Sequence, residues 1–445
     1  MSAAVSRNSD DRRTAVLVGA SLAGIGLVAA CVAIARMPNL AEAPLRFLVL
    51  HAAAFACYVV GVLLVRRNSD RHVLTLVLTI GVVCRLALLP ALPTLSTDAY
   101  RYVWDARVAA AGVSPYRHPP VAPELIQLRE ENIFPRLNHP TWLTIYPPGA
   151  QAFFRAVYAV APDSVQAMKL AIGLVEALTL GLLLALLRAH NLPMTQVVIY
   201  AWNPLVLIEI WGSAHVDALV LTAVVGAALA AARGARGLAA ILLGLATLAK
   251  LYPVILIPLL WRRRDWKPAV LYSLTVVAGY LPLGALGREA LGSLPRYLVE
   301  EYFNRGLVGS LIDSPALTVL VVVLWVAWAA TRSGDFAHRA MPLIAGAVVL
   351  APSVFPWYAA WLVPFLAVAP SPGWIGFTGT LPFAYAFFLS SPWSIPAWAR
   401  AVEVAPLVVG ACLAIAHRFD ISVTTAPRRV LRSLRRGSGA SHGGS

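Results

Sequence analysis

The sequence predicts an all-α polytopic membrane protein: a bundle of about 13–14 transmembrane helical segments with one long external loop that carries juxtamembrane helices. Three observations predict this fold class. The 445-residue chain is 59% hydrophobic and only 13% charged. Apolar runs recur from residue 14 to residue 417, and runs of roughly 17–25 residues suit helices that cross a hydrocarbon core. Strand-like alternation is absent, so helices must satisfy the backbone in lipid.

The first three predicted spans lie near residues 14–36, 46–65 and 72–92. The first run is too long for a signal-peptide core and lacks a clear cleavage site, so we expect it to be retained. Basic residues flank these spans and predict a cytoplasmic N-terminus. The four cysteines all fall in apolar segments, which argues against disulfides and against a thiolate metal site.

Residue 93 then lies outside, and residues 93–162 form the long external loop. This loop contains a short apolar piece, 150–161, which carries Arg155 and is expected to lie at the membrane surface. Segment 237–260 has basic residues at both ends and a Lys-Leu-Tyr-Pro run inside, which predicts a broken hairpin at Lys250. The remaining spans are predicted near 164–187, 194–212, 214–232, 268–286, 315–331, 340–353, 356–369, 374–391 and 396–417.

The charge pattern divides the chain into six regions. The predicted regions are a cytoplasmic tail (1–13), the first three spans (14–92), the external loop (93–162), a catalytic module (163–314), scaffold spans (315–417) and a basic cytoplasmic tail (418–445). Five external segments follow from this topology. They are the 93–162 loop, the turn 212–217, the Lys250 bend, the loop 287–314 and residues 352–357.

One stretch of the external loop, STDAYRYVWDARVAAAG at residues 96–112, is unusually rich in charge. On a helical wheel Asp98, Arg101, Tyr102 and Asp105 share one face, while aromatic and aliphatic residues share the other. The pattern predicts an amphipathic helix whose apolar face contacts lipid. Two alternatives stay open here, because Asp98 could simply cap the helix and Asp105 could simply pair with Arg101.

An ordered set of short motifs carries a family resemblance. The motifs are TDAYRYVWDAR, SPYRHPP, IYPPGAQ, AWNPLVLIE, AHVDAL, LAKLYPVILIPLL, FNRG and FPWYAAWLVPF, from about residue 97 to residue 368. They resemble the GT-C superfamily of membrane glycosyltransferases, and more narrowly bacterial polyprenol-phosphate-mannose-dependent mannosyltransferases and glycosyltransferase family 87. The chain departs from the expected pattern at Ala106 and Ala214, where glycine is expected.

The resemblance implies an inverting transferase that uses a polyprenyl-phosphate sugar, with Asp98 as general base. A departing phosphate needs nearby positive charge, and an attacking hydroxyl needs one base within reach. The candidates for the phosphate are Arg101, Lys250 and Arg305. The candidates for sugar or acceptor contacts, or for supporting the base, are Tyr102, Asp105, Tyr146, His215, Asp217 and Tyr302. Four of these residues also have a structural alternative: His215 as an interfacial histidine, Lys250 as a snorkelling lysine, and Tyr302 and Arg305 as parts of a solvated loop.

The predicted activity is transfer of a sugar, mannose by resemblance, to a lipid-linked or envelope glycan on the external face of a bacterial plasma membrane. The partners are the lipid donor, a glycan or glycolipid acceptor and membrane lipids. No cofactor is expected, since the sequence has no paired Asp-x-Asp motif that would indicate a metal. The net charge of +15 sits largely at helix ends and therefore does not indicate nucleic-acid binding. The alternatives are a secondary transporter, or a polyprenyl-lipid flippase or glycan ligase; pseudo-symmetric halves would favour the transporter.

Overall fold

The structure is a computed structural model that describes residues 2–260, 265–301, 303–312 and 314–424. Within those ranges the chain is helical, and its β-type pairing is an isolated bridge between Arg305 and Ser353. The helices are α1 (Ser2–Ala35), α2 (Pro44–Val65), α3 (Arg71–Leu88), α4 (Asp98–Ala110), α5 (Pro148–Val160), α6 (Val165–Ala189), α7 (Val198–Ala201), α8 (Pro204–Val206), α9 (Asp217–Ala232), α10 (Arg236–Ala249), α11 (Lys267–Tyr280), α12 (Leu294–Glu300), α13 (Leu307–Leu311), α14 (Pro315–Ala330), α15 (Phe336–Leu350), α16 (Val363–Val368), α17 (Pro372–Thr380) and α18 (Ala397–Thr424).

The membrane-spanning character of the chain follows from helix length and composition. Among the described residues, six helices are long and apolar enough to cross a membrane, and five further apolar helices of 10–17 residues accompany them. The predicted all-α polytopic bundle is therefore confirmed. The six long helices are Arg13–Ala35, Pro44–Val65, Arg71–Leu88, Val165–Ala189, Lys267–Glu300 and Ala397–Ala416.

The protein core is built from irregular helices. Residues 195–218 and 356–368 are buried without interruption. The sequence predicts one regular span over 194–212, but this segment is broken into a 3-10 turn, α7, α8 and a π-helical turn at Leu207–Gly212. Pro204 disfavours helical geometry at the preceding Asn203, whose side chain then accepts a hydrogen bond from the Leu205 N–H and starts the next helix.

The break predicted in segment 237–260 is present. Helix α10 ends at Ala249, Lys250 has extended backbone angles, and a 3-10 helix runs over Tyr252–Leu259. Pro253 lies four residues after Ala249, the last residue of α10, and cannot continue an α-helical hydrogen-bond ladder. The break frees the Lys250 side chain to leave the helix surface and enter the protein.

Charged residues within the spans are neutralised inside the bundle. Arg85 of α3 makes a bidentate ion pair with Glu176 of α6, at 2.9 and 2.7 Å, and both are buried. Lys169 donates to the carbonyl oxygens of Ala91 and Gly212. These three residues therefore tie neighbouring helices and their connecting segments together.

Helix α4 is the amphipathic helix predicted from residues 96–112, and Gly112 follows its end with a positive φ of 78°. The predicted lipid-facing side is wrong. Tyr100, Val103 and Trp104 are at most 5% exposed because the rest of the loop 93–162 packs over this helix. Arg107, expected to snorkel, instead pairs with Asp163 at 2.8 Å.

Candidate active site

Asp98 is the first residue of α4 and its carboxylate points toward two other elements. Asn138, from the external loop, donates a hydrogen bond of 2.6 Å to Asp98 Oδ1. The Asp98 Oδ2 atom lies 3.6 Å from Nδ1 of His215, and the Asp98 side chain is 16% exposed. The N-cap residue of α4 is Thr97. These contacts favour a site role for Asp98 over the capping role that the sequence left open.

His215 lies between two carboxylates in the turn that follows the π-helical segment. Its Nε2 atom is 3.3 Å from Oε2 of Glu209, and its ring stacks on Trp357 with centroids 3.8 Å apart. Tyr385 donates to both carboxylate oxygens of Glu209, at 3.0 and 3.2 Å. The result is a buried row that runs Asp98, His215, Glu209, Tyr385.

The row carries a proton at neutral pH. Burial lowers the pKa of a histidine, but the two flanking carboxylates outweigh burial and raise the pKa of His215 to about 9. Burial likewise raises the pKa of Asp98, but His215, Lys250 and Asn138 together bring the pKa of this carboxyl below its usual value. Asp98 is therefore an ionised carboxylate beside an imidazolium at neutral pH.

The turn that holds His215 needs an unusual backbone. Ala214 has a φ of 61°, a left-handed conformation in which glycine carries no Cβ penalty. This explains why glycine is the residue expected at position 214. The turn is fastened to α4 because the Tyr102 hydroxyl accepts a hydrogen bond of 3.2 Å from the Val216 N–H.

A second charged pair lies beside the row. Lys250 Nζ donates to both carboxylate oxygens of Asp217, the first residue of α9, at 3.0 and 2.9 Å. The indole of Trp361 donates to the same carboxylate at 2.8 Å. Lys250 also lies 4.8 Å from the centre of the Tyr358 ring. Lys250 is thus a positioned charge at the α10 break and not a snorkelling residue.

Arg101 and Asp105 form a separate pair on α4. Arg101 Nε donates to Asp105 Oδ1 at 2.8 Å, which is the i,i+4 pairing that the sequence left open. The Arg101 guanidinium also donates to the Trp142 carbonyl at 3.0 Å, and Gln151 donates to Asp105 at 2.9 Å. These contacts favour a role in fastening the external loop to α4 over direct phosphate binding by Arg101.

The other predicted site residues are placed as follows. Tyr146 is buried edge-on against Tyr102, with ring centroids 5.1 Å apart. The Arg305 backbone pairs with Ser353, close in sequence to Trp357, and the Arg305 carbonyl accepts a hydrogen bond from Arg400. Tyr302 lies outside the described residues.

Sequence reasoning missed several residues that surround these charges. Asn138 carries no periodic signal, and Glu209 ends the motif AWNPLVLIE without being among the predicted site residues. Trp357 and Tyr358 were also not predicted as site residues, yet they are at most 7% exposed and lie inside the protein. Tyr297 of α12 reaches the same place, since its hydroxyl lies 2.7 Å from that of Tyr358. The motif FPWYAAW was the available signal for Trp357 and Tyr358.

An apolar groove of about 580 Å³ lies between α6, α9 and α10, and some of its lining residues are sequence neighbours of Lys250. Leu248 and Ala249 line the groove just before Lys250, and Leu219 lines it just after Asp217. Arg233 and Ala235 line its other end. The α9 residues that line the groove run from Leu219 to Ala230, so at 1.5 Å per residue the groove follows about 16 Å of this helix.

The geometry brings together a carboxylate, a buried imidazolium and a positioned lysine, with an apolar groove lined by residues that adjoin the lysine in sequence. No curated protein matches the chain. Residues 13–262 match the family model described as the N-terminal domain of alpha-(1->6)-mannopyranosyltransferases. This match covers more than half of the chain and includes Asp98, His215, Asp217 and Lys250. The chain therefore belongs to the α-(1→6)-mannopyranosyltransferase family and is a membrane glycosyltransferase of the mannosyltransferase class.

Proposed function

We propose that this mannosyltransferase takes mannose from a polyprenyl-phosphate donor and transfers it, with inversion, to a hydroxyl of a lipid-linked or envelope glycan. We further propose that the reaction takes place on the external face of a bacterial plasma membrane, with both termini in the cytoplasm. The observation that carries the proposal is the Asp98–His215–Glu209 row beside the Lys250–Asp217 pair and the apolar groove.

Asp98 is the proposed base. As the acceptor oxygen attacks C1 of mannose, the bond from C1 to the phosphate oxygen breaks and the phosphate leaves with the electron pair. The hydroxyl proton passes to the Asp98 carboxylate. The low pKa of Asp98 keeps it ionised at neutral pH, and Asn138 orients it. Because the family name specifies an α-(1→6) product, inversion requires a β-configured donor.

Lys250 and Arg305 are the proposed partners of the donor phosphate. Lys250 is 18% exposed, is held in place by Asp217, and lies near enough to Asp98 to help lower the pKa of that carboxyl, so its charge needs little reorganisation as the phosphate departs. Arg101 is assigned to loop positioning, with Asp105, because its guanidinium already contacts the loop. Tyr102, Tyr146, His215, Asp217 and Tyr302 are proposed to support the base or contact sugar hydroxyls.

The groove supports a polyprenyl donor over a soluble one. Its lining is apolar, with Thr222 and Arg233 among the exceptions, and it begins beside the proposed phosphate site. A lipid tail in the groove would leave its phosphate next to Lys250. A nucleotide sugar carries a polar base and ribose, for which this lining offers few hydrogen-bonding partners.

The test is transfer by the purified chain in detergent. Polyprenyl-phosphate [¹⁴C]mannose and a mannose-ended glycolipid should yield a longer glycolipid and free polyprenyl phosphate, while GDP-[¹⁴C]mannose should yield none. Transfer from GDP-mannose, or release of polyprenyl pyrophosphate, would contradict the donor assignment. Movement of the intact lipid-linked sugar across a vesicle membrane without transfer would favour the flippase alternative.

A further inference from the structure

Three potential metal ligands meet at the end of α6 opposite the candidate active site. His190 is the C-cap residue of α6, and Asp335 and His338 lie at the start of α15. One ligand atom from each residue falls within 4.8 Å of the others. Helix α6 has 25 residues, so it separates His190 from the external-loop end by about 37 Å.

We propose that His190, Asp335 and His338 form a binding site for a first-row divalent cation, with Zn²⁺ as the favoured ion. Two imidazoles and one carboxylate are ligands that Zn²⁺ accepts readily. Nδ1 of His190 lies 3.6 Å from Asp335 Oδ2, and Nδ1 of His338 lies 2.9 Å from the same oxygen. Tetrahedral zinc with bonds of about 2.1 Å separates its ligand atoms by about 3.4 Å.

A similar contact between a capping aspartate and a histidine occurs elsewhere in the chain and serves as a comparison. Asp70 caps α3 and contacts His72, just as Asp335 caps α15 and contacts His338. At Asp70 the third partner is the Arg13 guanidinium, which completes an ion pair. At Asp335 the third partner is a second imidazole, so capping alone does not account for His190.

The surroundings are compatible with a bound cation. Arg339 is the nearest basic residue in sequence, but its guanidinium donates to the Ala330 carbonyl at the end of α14. The three side chains are 15%, 43% and 50% exposed in sequence order, so an ion and its waters can enter. His190 and His338 pack with ring centroids 5.7 Å apart.

A cation here would join the two parts of the chain. His190 lies within the family-matched residues 13–262, whereas Asp335 and His338 lie beyond them. Because its ligands come from the end of α6 and the start of α15, a bound cation would fasten these two helices to each other, with water in the remaining coordination position. This inference does not depend on the donor or on the role of Asp98.

Zn²⁺ titration of the full chain, purified without a polyhistidine tag, tests the proposal. We expect saturable binding of one ion per chain, an absorption band with Co²⁺ typical of a tetrahedral site, and a higher melting temperature with Zn²⁺. H190A, H338A and D335N should each weaken binding at least tenfold. D335N is informative because asparagine retains helix capping, and H72A is the matched control that should bind normally. Absence of saturable binding, or equal binding by all variants, would overturn the proposal.

Discussion

Replacing Glu209 with glutamine tests whether the buried row holds His215 as an imidazolium. Glutamine keeps the shape of glutamate and can still accept the Tyr385 hydrogen bond, but it removes one of the two carboxylate charges at His215. Glu209 does not contact the acceptor in our proposal. Any change in catalysis must therefore pass through His215.

The size of the effect follows from the pKa of His215. A rise from 6.5 to about 9 corresponds to roughly 3 kcal/mol in favour of the imidazolium. Glu209 and Asp98 contact the ring at similar distances, 3.3 and 3.6 Å, and because together they also offset the cost of burial, each supplies at least half of that energy. Glu209→Gln should lower the pKa of His215 by about one pH unit or more.

The assay is kcat/KM against pH from 5.5 to 10. The wild-type rate should fall as the pH rises through about 9, because the imidazolium beside Asp98 is lost. In Glu209→Gln this alkaline fall in kcat/KM should occur at a pH that is lower by one unit or more. Glu124→Gln is the matched control, since Glu124 contacts an exposed histidine, His118, at 3.6 Å. If folded Glu209→Gln lost kcat/KM at the same alkaline pH as the wild type, the reasoning would be refuted.

The same pKa predicts a stability profile. The folded-state pKa of His215 lies above 6.5, so its stabilising contribution is fully present below pH 6.5 and is lost as the pH rises through about 9. Wild-type protein in detergent should therefore melt at a lower temperature at pH 10 than at pH 6.5. The difference should be smaller in Glu209→Gln, and an equal difference would contradict the assignment.

Three further substitutions separate binding, positioning and stability. Lys250→Met should raise the KM for the donor about tenfold or more, while Lys250→Arg should keep most of the affinity. Lys267→Met is the control, and an unchanged donor KM in Lys250→Met would remove Lys250 from the phosphate site. Asn138→Ala should lower kcat about tenfold, since it removes a charge-assisted hydrogen bond to Asp98; a full rate would exclude that role. Arg85→Ala should lower the unfolding free energy by about 3–5 kcal/mol because Glu176 is left buried and unpaired, and a thermal melt close to wild type would contradict this.

The sequence predicted those features that depend on local pattern. Long apolar runs predicted the helical bundle, the proline in LAKLYP predicted the break at Lys250, and the glycine at 112 predicted the end of α4. The i,i+4 spacing of Arg101 and Asp105 predicted their ion pair. In each case the cause and its effect lie within a few residues.

Features that depend on tertiary packing were not predictable in this way. The wheel of α4 has an apolar face, but a pattern alone cannot tell lipid from protein as the apolar partner, and Trp104 is buried by the loop. Asn138 and Asp98 are 40 residues apart. Trp357 reaches His215 from 142 residues away, so only the folded chain brings them together.

The central claim is that the Asp98 carboxylate takes the proton of the acceptor hydroxyl, and single-turnover transfer by Asp98→Asn tests it most directly. Asparagine keeps the size of the side chain but cannot act as the base. Asp163→Asn is the matched control, because Asp163 directly follows the loop that contains Asp98, pairs with Arg107 and has a left-handed φ of 57° that asparagine tolerates. We predict that Asp98→Asn binds the polyprenyl-phosphate donor normally and transfers mannose at least about 1000-fold more slowly, while Asp163→Asn remains active. Near wild-type transfer by Asp98→Asn would contradict the account.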